Sequence, residues 1–172
     1  MQRDEIGQAI HSYCAQLGSK VVHRVRLTLS PKGQINLTSK PFEAPDSPLK
    51  IGLSGVRVAS GNPRLGHKTT LRGQYDRARA VARAQGWFDA LLINERDEVT
   101  EGAVTNVFLR LDGGWVTPPL SSGVLPGVGR RDFFLNVGAI ERPIFKEDLR
   151  RAKEICLTNA VMGTQPAVWS GQ

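Results

Sequence analysis

Lys68 stands in the run GNPRLGHKTT, residues 61–70. A lysine amine can hold a phosphate as a cation or bond covalently to a carbonyl carbon. Gly61, Gly66, Lys68 and Thr69 come close to the phosphate loop G-x-x-x-x-G-K-[ST]. His67 sits where the lysine belongs, so the backbone N–H groups would wrap a phosphate out of register. The strand ahead of it, IGLSGVRVAS, is polar at alternate positions, and no acidic strand end follows to hold magnesium. A nucleotide phosphate loop is therefore disfavoured, and alone Lys68 reads as a solvated lysine before a helix. A second anion site is legible in GVLPGVGRRDFF, where Gly127, Val128 and Gly129 precede a short helix. Free N–H groups and the dipole at a helix start attract anions, although glycine beside Pro126 also makes an ordinary turn. Taken singly, Glu101 is an acidic residue at a strand–turn junction, Arg72 lies on a solvated helix face, and Tyr75 belongs to a core stripe. His67 points away from Lys68 if the segment is extended. His11 and His23 are isolated, and no metal-ligand spacing appears.

Short elements must position these groups. RDEIGQAIHSYCAQLG carries apolar residues at helical spacing and stops at Gly18; VVHRVRLTLSPKGQINLTS alternates around a turn and predicts a hairpin. LKIGLSGVRVAS predicts a strand. TTLRGQYDRARAVARAQG predicts an amphipathic helix with Leu71, Tyr75, Ala78 and Ala82 on its apolar stripe and Gly86 as its stop. Strands follow on both sides of the turns at 95–97 and 112–114, then two short helices, then a strand, a loop and a further strand to the end. The mixture is α+β, because strands and helices alternate too irregularly for a doubly wound sheet. The expected boundary lies in ASGNP, between a small α+β segment, residues 1–60, and a larger β-rich one, residues 61–172.

A chain of 172 residues that is 40% hydrophobic can build a packed core. Its formal net charge of +7 favours anionic partners. The basic helix over 71–83 lacks interleaved aromatics and no nucleic-acid motif accompanies it, so no nucleic-acid partner is expected. No apolar run reaches the ~18 residues of a membrane span and no signal-peptide core opens the chain, so no membrane partner is expected either. Cys14 and Cys156 lie far apart and read as reduced thiols, which suits a cytoplasmic protein.

Taken together, HKTT, NERDEVTEG, the TPPL…GVLPGV run with its arginine, and LTNAVMG resemble the class IV, fold-type IV aminotransferases over roughly residues 20–172. That family uses pyridoxal phosphate and includes branched-chain aminotransferases, D-amino acid aminotransferases and aminodeoxychorismate lyase, to which the similarity is greatest. The resemblance implies a D-amino acid aminotransferase-like fold, with Lys68 as the lysine that links to the cofactor and moves a proton at the substrate's α-carbon. It makes Glu101 the carboxylate against the pyridine nitrogen, Asn106 a residue bonding loop backbone beside the cofactor, and Val128 and Gly129 the backbone donors to the phosphate. At LTNAVMG it makes Asn159 and Ala160 cofactor neighbours, alanine standing where aminotransferases often carry threonine. Arg72 and Thr158 become candidate substrate contacts, and Tyr75 could approach the ring hydroxyl. The substrate would be a small, anionic, amino-acid-like molecule.

The family also carries a longer amino-terminal portion with an arginine on the cofactor phosphate, and no residue here matches it. The expected fold is thus N-terminally shortened. Missing strands would expose sheet edges, so a homodimer is expected. The implied activity is conversion of 4-amino-4-deoxychorismate to 4-aminobenzoate and pyruvate. The alternatives are transamination of branched-chain or D-amino acids, and a non-catalytic homologue acting through binding.

Overall fold

The computed structural model describes residues 3–18 and 20–171. Two compact units divide at Pro45/Asp46. In the first, α1 (Arg3–Ala15) accompanies a two-stranded antiparallel hairpin, β1 (His23–Leu29) and β2 (Ile35–Pro41). The hairpin alternates as its sequence demands: Val25, Leu27, Ile35 and Leu37 are half-buried while Arg24, Arg26 and Thr28 are exposed. The Tyr13 hydroxyl of α1 donates to Ser39 Oγ at 3.1 Å. No described residue between 4 and 45 is fully buried. A hairpin with one helix has little apolar area to enclose.

The second unit is built on one eight-stranded mixed sheet in the order β5-β4-β3-β10-β9-β6-β7-β8. Its strands are β3 (Leu49–Val58), β4 (Asp89–Asn94), β5 (Val99–Gly102), β6 (Asn106–Leu111), β7 (Gly114–Thr117), β8 (Ile140–Glu141), β9 (Glu154–Asn159) and β10 (Gly163–Trp169). Its helices are α2 (Gly73–Ala84), α3 (Val128–Val137) and α4 (Lys146–Arg151). The expected boundary at 60/61 is corrected to Pro45/Asp46, because β3 is hydrogen-bonded into the large sheet between β4 and β10. β3, α2 and β4 form a parallel crossover unit; a parallel pair needs such a long connection. The sheet curls until its far ends meet: Val99 on β5 bridges Ile144 just after β8, its N–H donating to the Ile144 carbonyl at 2.7 Å.

The centre is apolar. Ile51, Leu91, Leu92, Phe108, Leu109, Ile144 and Leu157 have no exposed surface. α2 lies on Val58, Leu65, Leu92 and Ala103 through Ala78, and Tyr75 packs against the same group. Ala78 and Ala82 are buried as the stripe requires, but Leu71 is 68% exposed. The helix begins only at Gly73, so Leu71 lies outside its periodicity. That start also separates Lys68 from the N-terminus of α2, the helix that a nucleotide phosphate loop would have to lead into.

Candidate active site

β4, β5 and β6 turn back on one another at one end of the curled sheet, and that turn is organised by a buried acid. Asp89 opens β4 with no exposed surface. Its Oδ1 accepts from the N–H of Ala90 and of Ala103, both at 2.9 Å. Its Oδ2 accepts from Val104 N–H at 3.1 Å and from the Thr105 hydroxyl at 2.7 Å. The β5–β6 turn is therefore wrapped around one carboxylate. Gly102 has to be glycine here, since a Cβ would fall 2.3 Å from Asp89 Oδ2. Burial raises the Asp89 pKa, opposed by its hydrogen bonds and by Arg79.

The turn delivers Glu101 at the end of β5 and Asn106 at the start of β6 to the same place. Glu101 is 4% exposed. Its Oε1 accepts from the Tyr75 hydroxyl at 2.8 Å; its Oε2 accepts from Asn106 Nδ2 at 3.0 Å and from Leu125 N–H at 3.2 Å. Burial pushes its pKa up to about 7; the Asp89 charge adds to the rise, while Tyr75, Leu125 N–H and the Lys68 ammonium oppose it. Asn106 Nδ2 also donates to the Leu125 carbonyl at 3.0 Å, which fixes the loop leading to α3.

Lys68 reaches the same cavity from another direction. A short turn, Pro63–Gly66, follows β3; the Asn62 side chain accepts from Arg64 N–H, and Leu65 anchors the turn in the core. The chain leaves this turn extended, and Lys68 is exposed on the cavity wall. The cavity measures about 850 Å³, and Lys68, Glu101, Asn106, Val128, Asn159 and Ala160 all line it. So do Arg64, His67, Arg72 and Arg77. His67 thus lines the same cavity as Lys68.

Other sites differ from expectation. Gly129 is outside this cavity and lines a smaller one of about 190 Å³ next to it, together with Val128, Asn159 and Ala160. A Cβ there would lie 2.8 Å from the Asn159 carbonyl carbon, so α3 approaches the β9–β10 turn as closely as backbone allows. Thr158 is fully buried inside β9 and lines neither cavity, which removes it as a substrate contact. The inward pleat of a central strand explains this. The Asn159 side chain is committed to backbone: its Oδ1 accepts from Val161 and Met162 N–H at 2.9 Å. Arg72 lines the cavity while its Nη2 donates to the Ala103 carbonyl at 2.8 Å. The Tyr75 hydroxyl meets Glu101. Its own spacing signalled core packing, and nothing in that spacing foretold a partner on β5.

The family profile described as amino-transferase class IV matches residues 1–168. The chain belongs to this family. A solved structure of an amino-acid aminotransferase from Mesorhizobium loti is similar at 34% identity and a TM-score of 0.81, covering 95% of this chain and 81% of that one. A Schizosaccharomyces pombe protein bearing the name aminodeoxychorismate lyase is 30% identical over 145 residues, 80% of this chain and 62% of the relative. A Thermotoga maritima protein named as a branched-chain-amino-acid aminotransferase is 29% identical over 153 residues, 83% of this chain and 55% of the relative. The class IV chain thus spans a little over half the length of these two curated relatives.

Class IV enzymes use pyridoxal phosphate, and the residues present fit that group. Lys68 offers a primary amine. Glu101 offers a buried carboxylate with acceptor capacity left on Oε1. α3 begins at Val128 after Gly127, with no side-chain cap on its first N–H groups, and uncapped N–H groups at a helix start accommodate a phosphate.

Proposed function

We propose that this class IV chain is a pyridoxal-phosphate-dependent lyase that converts 4-amino-4-deoxychorismate to 4-aminobenzoate and pyruvate. The observation that carries the reading is the charge of the cavity wall. Around Lys68 and Glu101 it gathers Arg64, Arg72 and Arg77, against Asp76 as a further acid. Such a wall suits a substrate with two carboxylates better than an aliphatic amino acid, because buried or half-buried anions need paired cations.

Each residue then has a defined task. The uncapped start of α3, at Val128, would hold the phosphate from the cavity side. Glu101, as a carboxylate, would accept a hydrogen bond from the protonated ring nitrogen and so keep that proton on the ring. Bound between them, pyridoxal phosphate supplies an electron sink for negative charge at the substrate's α-carbon. Lys68 would hold the cofactor through its amine, and that amine, once free, would take the proton from the substrate's α-carbon. Arg64 and Arg77, on the rim, bind carboxylates and orient the leaving pyruvate unit. The exposure of Lys68 leaves room for it to swing between these positions. The proposed assembly is a homodimer: the first unit encloses no fully buried side chain among its described residues, and a partner copy would cover it.

A second reading, transamination of a branched-chain amino acid, draws on the apolar side of the cavity, Val104, Leu125 and Val128. One assay separates the two. Protein loaded with pyridoxal phosphate is given 4-amino-4-deoxychorismate without an amino acceptor, and 4-aminobenzoate and pyruvate are measured. Equal release of both supports the lyase. Neither product formed, with amino transfer when a branched-chain amino acid and a 2-oxo acid are supplied instead, refutes it in favour of the transaminase, and failure to take up the cofactor refutes both.

A further inference from the structure

The hydrogen bonds of Glu101 leave its carboxylate almost no freedom. An ionised carboxylate has about four acceptor positions, two on each oxygen. Oε2 uses both of its positions, on Asn106 Nδ2 at 3.0 Å and Leu125 N–H at 3.2 Å. Oε1 uses one, on the Tyr75 hydroxyl at 2.8 Å. One position remains on Oε1, and Glu101 lines the cavity that also holds Lys68.

Tyr75 is itself held on several sides. It sits in the first turn of α2, and its ring packs against the core group of Val58, Leu65, Ala78, Leu92 and Ala103. The Arg72 guanidinium lies 5.2 Å from the ring centroid and is tied to the Ala103 carbonyl. Burial and the neighbouring Glu101 charge raise the Tyr75 pKa, so its hydroxyl keeps its proton and donates it to Glu101.

We propose that Tyr75 is a positioning residue of the cofactor site: it fixes Oε1 of Glu101 so that the last acceptor position faces the cavity, where a protonated ring nitrogen can donate to it. The inference rests on the proposed pyridoxal-phosphate reading and adds a residue to it. The hydrogen bond also favours the ionised carboxylate, against burial and the Asp89 charge from β4. Lys68 and Arg72 are the cations near this pair, and Asn106 on β6 completes the surroundings.

The test is Tyr75→Phe, which keeps the ring and removes the donor. Carbon-13 NMR of labelled glutamate in the cofactor-free protein follows the Glu101 carboxyl, assigned by its loss in Glu101→Gln. A hydrogen bond to the charged form lowers an acid's pKa, so its removal moves the Glu101 midpoint upward, by about one pH unit for a bond to an ionised group. Pyridoxal phosphate affinity, measured by equilibrium dialysis near neutral pH, falls by about tenfold, and its pH profile moves up by the same interval. The sequence has two tyrosines, Tyr13 and Tyr75. In a Tyr13→Phe background, 3-fluorotyrosine therefore labels Tyr75 alone; its more acidic phenol moves the Glu101 midpoint down without deleting any group. That arm decides the matter if Tyr75→Phe does not fold. An unchanged Glu101 midpoint overturns the inference whether or not the cofactor binds, and so does lost affinity at an unchanged midpoint. A wild type that takes up no pyridoxal phosphate instead defeats the proposed function.

Discussion

Replacing Glu101 with glutamine should stabilise the cofactor-free protein, and only above mildly acidic pH. The carboxyl's pKa rises from its ordinary 4.5 to about 7, chiefly through burial. Below pH 4.5 it is protonated in both the folded and the unfolded chain and contributes nothing to pH dependence. Between 4.5 and 7 the unfolded chain releases the proton while the folded chain keeps it, so stability falls as pH rises. Above 7 the loss is complete. A gap of roughly 2.5 pH units corresponds to about 3 kcal/mol. Glutamine avoids this loss and still fits the site. Its carbonyl oxygen can take Asn106 and Leu125 N–H, and its amide can donate to Tyr75, whose hydroxyl rotates. The assay is urea unfolding of wild type and Glu101→Gln, stripped of cofactor, from pH 4.5 to about pH 8. The variant should gain about 3 kcal/mol on wild type across that range. Parallel pH profiles for the two proteins would refute the assignment of Glu101 as a buried, reluctantly ionised carboxylate.

Lys68→Ala should abolish the visible absorbance that wild type develops on incubation with pyridoxal phosphate, with the melting temperature of the cofactor-free protein within about 1 °C of wild type, since Lys68 is exposed; an absorbance band that survives would move the linkage to another lysine. Gly129→Ala should cost about 1–3 kcal/mol of stability in thermal unfolding, because the new methyl meets the Asn159 backbone at 2.8–2.9 Å, and should weaken phosphate binding by displacing the first turn of α3; dialysis against pyridoxal phosphate measures this. Asp89→Asn should lower stability by about 1–3 kcal/mol, since an amide NH₂ would face the N–H donors around that side chain. The same denaturation assay checks it, and a neutral outcome would show that the β5–β6 turn does not depend on this carboxylate.

The candidate site residues were named in the sequence through a family resemblance, and the runs that carry it are local. Lys68, the glycines ahead of α3 and the EGAVTN run each lie in short segments whose spacing the backbone itself fixes. Val128 leads a helix because Pro126 and Gly127 allow an extended approach, with Gly127 at φ −67° and ψ 148°. The hairpin of β1 and β2 followed from simple alternation, and α2 from its alanine spacing and the Gly86 stop at φ +67°. These features need no knowledge of distant parts of the chain.

Tertiary structure decided which of these segments meet. The pairing of β3 with β4 and β10 moved the unit boundary to Pro45/Asp46, because strand partners far apart in sequence leave no trace in a strand's own pattern. Thr158 and Ala160 are two residues apart, yet the first is sealed in the sheet and the second lines the cavity. The same holds for the acids: an aspartate in FDALLI reads as an ordinary polar residue until four donors close around it. The family resemblance carried by short runs of the sequence named the candidate chemistry, an amine, a carboxylate and a helix start. Only the curl of the sheet brought them around one cavity, and burial there, which no spacing encodes, set the protonation of the carboxylate.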